Sequence, residues 1–200
     1  MHDLTHINIL RKALRSKRLS LSEQTIQSSS QAIIKKLIQL SSFQQARHIG
    51  IYWPVFGEVD LRPLLSRTSS NFYLPVITED QTLTFRLCDE STSLIKNRFG
   101  INEPTENAVT VFAQALDIVC APLVAFTKEG LRLGMGGGFY DKTFAFCLNE
   151  KSNKKPCTLI GIGYDWQQVE KLEVQAWDVP MDLIITDLNT YGPFKKNFSA

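Results

Sequence analysis

The stretch Asp117-Ile-Val-Cys-Ala-Pro-Leu-Val-Ala-Phe126 is apolar at every position after its first residue. A strand with one wet face alternates polar and apolar residues. A run that never alternates is predicted to be covered on both faces, as strands of a parallel sheet are. Two shorter runs downstream read the same way, Thr158 to Tyr164 and Leu183 to Thr186. Upstream, Ala46 to Tyr52 is a strand stopped by Pro54. Phe72 to Ile77 and Leu83 to Leu87 form a strand pair split by the polar turn Thr78-Glu79-Asp80-Gln81. Val109 to Phe112 is too short to assign.

Helical spacing fills the gaps. Leu4, Ile7, Leu10 and Leu14 recur at three- and four-residue steps and share one face. Ser20 with Glu23 three residues on predicts a capping box, and Ile26, Ile33, Leu37 and Ile38 carry a second stripe. Asp60 is expected to cap a short helix through Leu65, and a further helix is expected from about Phe139 to Asn149. Helices interleaved with buried strands predict an α/β layered fold. Its sheet should be mostly parallel and flanked by helices, within a single compact domain over residues 1–200.

Composition narrows the function classes. The chain has 200 residues with 44% hydrophobic and 21% charged content, which suits a soluble domain able to bury a core without disulfide staples. A net charge of +2 gives no global pull toward nucleic acid, although Arg11, Lys12, Arg15, Lys17 and Arg18 crowd one end. Cys88, Cys120, Cys147 and Cys157 show no CxxC or zinc spacing and read as reduced thiols of a cytoplasmic protein. The residues before Arg11 lack the apolar run of a secretory signal, and no stretch approaches the ~20 apolar residues of a membrane helix. The expectation is a cytoplasmic monomer with neither nucleic-acid nor membrane partners.

In a parallel sheet ligands sit beyond the carboxyl ends of the strands, which directs attention to the segment after Phe126. There the chain reads Arg132-Leu-Gly-Met-Gly-Gly-Gly-Phe-Tyr-Asp141. Gly134, Gly136, Gly137 and Gly138 can bring backbone N–H groups close to an anion, and the helix after them points its amides the same way. Arg132 adds a permanent forked donor for phosphate oxygens, and Asp141 adds a carboxylate able to hold Mg²⁺. The spacing is not GxGxxG, because Phe139 takes the last position, and the loop lacks the Gly-Lys-Ser/Thr of a Walker loop. From the residues alone the segment is either an unusual anion-binding loop or a series of tight turns.

The same string closely resembles the RLGxGxGYYD signature of the 5-formyltetrahydrofolate cyclo-ligase family. Other segments agree in order: Arg11-Lys-Ala-Leu-Arg15, Tyr52-Trp-Pro-Val-Phe-Gly-Glu58-Val-Asp60, Phe99-Gly-Ile-Asn-Glu-Pro104, Asp117 to Pro122, Gly161 to Gln167, and Trp177-Asp178-Val-Pro-Met-Asp182 with Ile185-Thr186. The resemblance covers residues from about 10 to 187.

It implies ATP- and Mg²⁺-dependent cyclisation of 5-formyltetrahydrofolate to 5,10-methenyltetrahydrofolate, with ADP and phosphate released. Carried over by position, it assigns ATP contacts to Arg11, Lys12, Ala13, Leu14 and Arg15, and to Arg132, Leu133, Gly134, Met135, Gly136, Gly137, Gly138, Phe139 and Tyr140. It assigns folate contacts to Trp53, Glu58, Met135, Gly136, Gly137 and Gly138, and Mg²⁺ to Asp141 and Asp178. Arg132 and Arg15 are expected to share the charge of the transferring phosphoryl group. Three positions depart from the family pattern: Arg11 stands for Lys, Met135 for an aromatic or basic residue, and Phe139 for the first Tyr. The rival reading is a family member that binds folate or nucleotide without turnover.

Overall fold

The computed structural model describes residues 2–67, 70–148, 157–173 and 175–194, with side chains from residue 6 onward. Three helices open the chain: α1 (His2–Leu19), α2 (Glu23–Gln39) and α3 (Ser41–Gln45). Ile7, Leu10 and Leu14 are all half-buried along α1, as their spacing predicts, while the Leu4 side chain lies outside the described residues. Ser22 rather than Ser20 caps α2, accepting a hydrogen bond from the Thr25 amide at 3.1 Å. Ser20 still belongs to the end of α1, its amide bonded to the carbonyls of Ser16 and Lys17, so the cap falls two residues later than expected.

The strands come in the order β1 (His48–Gly50), β2 (Asn71–Ile77), β3 (Leu83–Leu87), β4 (Leu94–Lys96), β5 (Asn102–Pro104), β6 (Thr110–Phe112), β7 (Ile118–Pro122), β8 (Ala125–Phe126) and β9 (Arg132–Leu133). Helix α4 (Phe139–Phe144) comes next, then β10 (Thr158–Ile162), β11 (Leu183–Ile185) and β12 (Thr190–Tyr191). Eight strands make one sheet in the order β12-β11-β10-β7-β1-β2-β3-β6. Its middle, β11-β10-β7-β1-β2, is parallel throughout, and the antiparallel pairings lie toward the edges. The expected α/β sheet flanked by helices is therefore observed.

Both faces of the middle strands are covered, as the unalternating runs predicted. Ile49, Ile118, Cys120, Ile160, Ile162 and Ile185 pack on one side with Ile33 and Leu37 of α2. Val119, Ala121, Leu159 and Ile184 face the other side with Phe144, Cys147 and Met181. Ile33 and Leu37 are fully buried, each contributing about 1.5–3 kcal/mol of apolar transfer energy.

Three expectations are corrected. The run 117–126 is not one strand. It leaves the sheet after Pro122, and Ala125–Phe126 pair instead with Arg132–Leu133 in a separate hairpin. The Leu123 and Val124 carbonyls so released accept hydrogen bonds from the Gln167 side-chain amide at 2.8 and 2.9 Å. The short helix expected after Asp60 is present as 3-10, but Leu61 rather than Asp60 is its N-cap. The Asp60 carboxylate accepts from the Arg62 amide at 2.9 Å and leads into a single 3-10 turn, Arg62–Leu64. The helix expected from Phe139 to Asn149 is α-helical for six residues and then 3-10 from Ala145 to Leu148, and Asn149 lies outside the described residues.

Chain order decides where a ligand goes. From β1 the chain moves outward through β2 to one edge, then returns to place β7 on the other side of β1. The crevice beyond the carboxyl ends of β1 and β7 is thus the switch point of the sheet, the usual ligand position in open α/β folds. Residues 51–59 come after β1, residues 123–138 after β7, and Gly163 to Gln167 after β10. The candidate site residues fall on these connections, on α1, at the start of α4 (Phe139, Tyr140 and Asp141) and, for Asp178, on the segment before β11.

Candidate active site

The glycine loop is held out by the β8–β9 hairpin. That hairpin turns at Thr127–Gly130, with the Gly130 amide bonded to the Thr127 carbonyl at 3.1 Å. Its second strand carries Arg132, whose guanidinium grips Asp141 of α4 in a forked pair, Nη2 to Oδ1 at 2.7 Å and Nη1 to Oδ2 at 3.5 Å. The Arg132 side chain is only 7% exposed, and its Nε is buried without a partner. Arg132 also lies 5.9 Å from the centroid of the Tyr140 ring. Two residues nine apart are therefore locked together, and Met135, Gly136 and Gly137 between them stay exposed. Gly138 begins α4 in the left-handed region at φ 67°, a conformation that strongly favours glycine. α4 has only six residues, so its dipole is weaker than the predicted longer helix would supply.

α1 lies against this loop. Arg11 donates from Nε to the Gly134 carbonyl at 2.9 Å, and a β-carbon at Gly136 would meet its guanidinium carbon at 3.6 Å. Arg11, Arg15 and Arg18 recur at steps of four and three, which puts them on one face of the helix. Burial first, and then the charge of Arg15, hold the Arg11 guanidinium below its ordinary value. The Arg15 guanidinium sits 5.2 Å from the centre of the Phe56 ring, and its Nε is buried with no partner. Two neighbouring cations with an unused donor are an arrangement that an anion relieves. Lys12 and Ala13 are exposed, and Leu14 is half-buried.

Beyond β1 the chain makes a tight turn at Val55–Glu58. The Glu58 amide donates to the Val55 carbonyl at 3.1 Å, and the Val55 amide donates back to Glu58 Oε2 at 3.1 Å. Phe56 and Gly57 both have positive φ, 52° and 74°. A β-carbon at Gly57 would stand 2.5 Å from the Arg18 carbonyl, so only glycine lets the turn approach α1 this closely. Glu58 is 6% exposed and pairs through Oε1 with Arg18 Nη2 at 3.2 Å. Burial pushes its carboxyl above the ordinary glutamate value, although the Arg18 charge and the Val55 amide pull the other way. Glu58 is thus both the turn residue and a buried carboxylate facing the crevice loops. Trp53, on the same connection, is half-buried with Arg62 5.0 Å from its ring centre.

Arg18 was not among the site residues read from the sequence. It is 2% exposed, among the largest fully buried side chains described, and its helical spacing from Arg11 and Arg15 was the available signal. Tyr164 was likewise not singled out. Its hydroxyl donates to the Gly57 carbonyl at 2.8 Å, and its ring stacks on Trp166 at 5.6 Å.

Asp178 accepts from the Gln175 amide at 2.8 Å. Burial raises its carboxyl, the Gln175 amide lowers it, and the charge of Asp141 raises it again. Asp141 also accepts the Val179 amide at 3.1 Å. Two hard oxygen donors that repel one another suit Mg²⁺, which commonly takes one or two carboxylates and completes its shell from substrate phosphates and water. No group of three or more His, Cys, Asp or Glu able to cage a metal occurs among the described residues. The donor set fits a cation shared with a phosphate ligand.

The departures from the resembled pattern have visible places. Phe139 lies under Gly137, where a β-carbon would meet its ring at 2.5 Å, and it faces Phe99 edge-on at 6.1 Å. Phe99 sits at the tip of the β4–β5 hairpin, where the 99–104 segment makes its turn before β5. Met135 is 41% exposed. The four cysteines are buried, and burial pushes Cys120 up to about 12, which leaves it a poor nucleophile at neutral pH.

The family model described as the 5-formyltetrahydrofolate cyclo-ligase family matches residues 5–187. Among curated proteins, the 5-formyltetrahydrofolate cyclo-ligase of Haemophilus influenzae is 35% identical over 184 residues, covering 88% of this chain and 95% of that one. The protein of the same name from Escherichia coli K12 is 32% identical over 179 residues, covering 86% and 96%. Among solved structures, the 5,10-methenyltetrahydrofolate synthetase of Aquifex aeolicus superposes with a TM-score of 0.79 at 30% identity, covering 96% of this chain and 94% of that one.

Proposed function

The chain belongs to the 5-formyltetrahydrofolate cyclo-ligase family, and on that premise we propose that it uses Mg-ATP to close 5-formyltetrahydrofolate to 5,10-methenyltetrahydrofolate. The observation that carries the reading is the meeting of α1 with the glycine loop. Arg11 touches Gly134, while Arg15 and Arg132 each keep a buried Nε without a partner. Donors left over in a crevice between three loops suit a polyphosphate.

The formyl amide at N5 is a poor electrophile with a poor leaving group. Transfer of the ATP γ-phosphoryl group to the formyl oxygen converts that oxygen into a phosphate leaving group and releases ADP. The N10 lone pair then attacks the formyl carbon. The carbon–oxygen bond breaks, inorganic phosphate departs with the former formyl oxygen, and N10 loses its proton. Such chemistry depends on position and charge rather than on a covalent nucleophile, and the buried thiols agree with that.

Within this scheme Arg132 and Arg15 draw charge from the equatorial phosphoryl oxygens, and Arg11 holds the phosphates against the loop. Asp141, fixed by Arg132 and the Val179 amide, together with Asp178 would hold Mg²⁺, which supplies charge neutralisation when bound. Glu58 orients the pterin through its N–H edges, with Trp53 beside it.

The test is absorbance in the methenyl-folate band after mixing protein, 5-formyltetrahydrofolate and Mg-ATP. Growth of that band with one ADP released per product is expected. Tight binding of both ligands without product would show a binding protein instead.

A further inference from the structure

Arg18 is the most thoroughly buried cation described, and each end of its guanidinium reaches a different part of the crevice. Its Nε donates to the Phe56 carbonyl at 3.0 Å, its Nη1 to the Leu123 carbonyl at 3.1 Å, and its Nη2 faces Glu58 Oε1 at 3.2 Å. Phe56 and Glu58 belong to the connection after β1, and Leu123 is the first residue past β7. One side chain of α1 therefore joins both loops at the switch point of the sheet. The helix backbone joins in as well, because the Arg18 carbonyl lies where a side chain at Gly57 would begin.

A core can be filled more cheaply than this. Burying a guanidinium and a carboxylate costs several kcal/mol per ion before their attraction is counted, and an apolar pair of similar volume is often as stable or more so. What an apolar pair lacks is direction. The guanidinium is held in plane by the Phe56 and Leu123 carbonyls, so its charge stands at one place beside Glu58 Oε1 while the Val55 amide takes Oε2, and the carboxylate has one orientation in a turn that is itself strained.

We propose that Arg18 is a positioning residue for folate: through Glu58 and the Phe56 carbonyl it sets the carboxylate that receives the pterin. This rests on the folate role given to Glu58 above. Arg18 itself touches neither ligand. A lysine in its place keeps the charge but can satisfy only part of the three-way contact, because a point donor does not reproduce the fork.

The experiment measures dissociation constants for 5-formyltetrahydrofolate and for ATP by calorimetry in the unmutated protein and in Arg18→Lys, Glu58→Gln and the double variant. Thermal melting of each confirms that it is folded. Arg18→Lys is expected to weaken folate binding by about tenfold and ATP binding by less than about threefold. In the Glu58→Gln background the same change should add almost nothing to the folate loss, since the carboxylate it orients is gone. Equal losses for both ligands, or a folate loss that simply multiplies with that of Glu58→Gln, would show a structural role only and overturn the proposal.

If Arg18→Lys does not fold, Gly57→Ala tests the same contact from the loop side. It leaves Arg18 and Glu58 chemically intact but forces the turn away from the helix, so folate affinity should fall while ATP affinity holds. Unchanged folate affinity in that variant overturns the proposal too. An unmutated protein with no affinity for 5-formyltetrahydrofolate would instead sink the folate reading itself, and this role with it.

Discussion

The two loops that meet at the crevice are built in opposite ways. Past β7, the glycine loop is exposed at Met135, Gly136 and Gly137, and the arginines around it keep unused donors at Arg15 and Arg132. Past β1, the Val55–Glu58 turn is closed on itself, with Glu58 Oε2 taking the Val55 amide, Oε1 ion-paired to an Arg18 Nη2 that makes no hydrogen bond, and the side chain almost wholly buried. An open loop with spare cationic donors can wrap a ligand whose charge moves during reaction. A rigid, pre-set carboxylate is suited to holding a planar group that does not change. On the proposed function, the phosphoryl chemistry belongs to the first loop and the grip on the pterin to the second.

The largest effect should come from removing the metal, because it acts on the open side alone. With Asp141 and Asp178 as the two carboxylates, excess EDTA is expected to abolish turnover and added Mg²⁺ to restore it. Full activity under chelation would mean that the arginines neutralise the phosphates unaided. Next comes Arg132→Lys. It keeps the charge but loses the fork that now spans both Asp141 oxygens. Turnover should fall on the order of 10²-fold or more, the scale set by loss of one preorganised donor, as steady-state kinetics would record. A variant with near-normal turnover would break the comparison on its open side.

A smaller effect belongs to the closed side and to pH. Glu58 is pushed up by burial against the pull of Arg18, Arg15 and the Val55 amide, with Tyr52, Tyr140 and Tyr164 also facing it. If the ionised carboxylate holds the pterin, folate affinity should weaken on acidification at a pH above the ordinary glutamate range, roughly tenfold for each unit below its pKa. The sign for folding is the reverse. A carboxyl whose pKa is raised in the folded state contributes stability at low pH and loses it as pH rises through that value. Folate affinity that stays level until the ordinary glutamate range would show that the carboxylate is not the group that binds.

The same contrast explains what could be read from the sequence. The glycine loop announces itself, because four glycines within five residues beside Arg132 and Asp141 are a local and improbable pattern. The unalternating runs at 117–126 and 158–164 likewise carried the parallel sheet, since burial on both faces is written residue by residue. The Arg18–Glu58 pair joins positions forty residues apart, and although its spacing from Arg11 and Arg15 puts Arg18 on their face of the helix, nothing local says that this arginine is buried while Lys12 and Lys17 are exposed. Strands β4 and β5 escaped for a related reason. Three residues are too few to alternate, and their hairpin is fixed by Glu103 accepting from Asn97 at 2.7 Å and from the Ile77 amide at 3.3 Å. Ser22 took the cap from Ser20 because α1 runs to Leu19, a boundary that apolar spacing does not define.

The central claim is that the two loops divide the work. Its most direct test measures turnover and the affinities for both ligands in Arg132→Lys and Glu58→Gln side by side. The account predicts a crossed pattern. Arg132→Lys should lose turnover while folate affinity is kept. Glu58→Gln should lose folate affinity by about 10- to 10²-fold, the equivalent of ~1.5–3 kcal/mol for a hydrogen bond to a charged group, while ATP affinity is kept. Parallel losses in both variants, across turnover and both ligands, would contradict it.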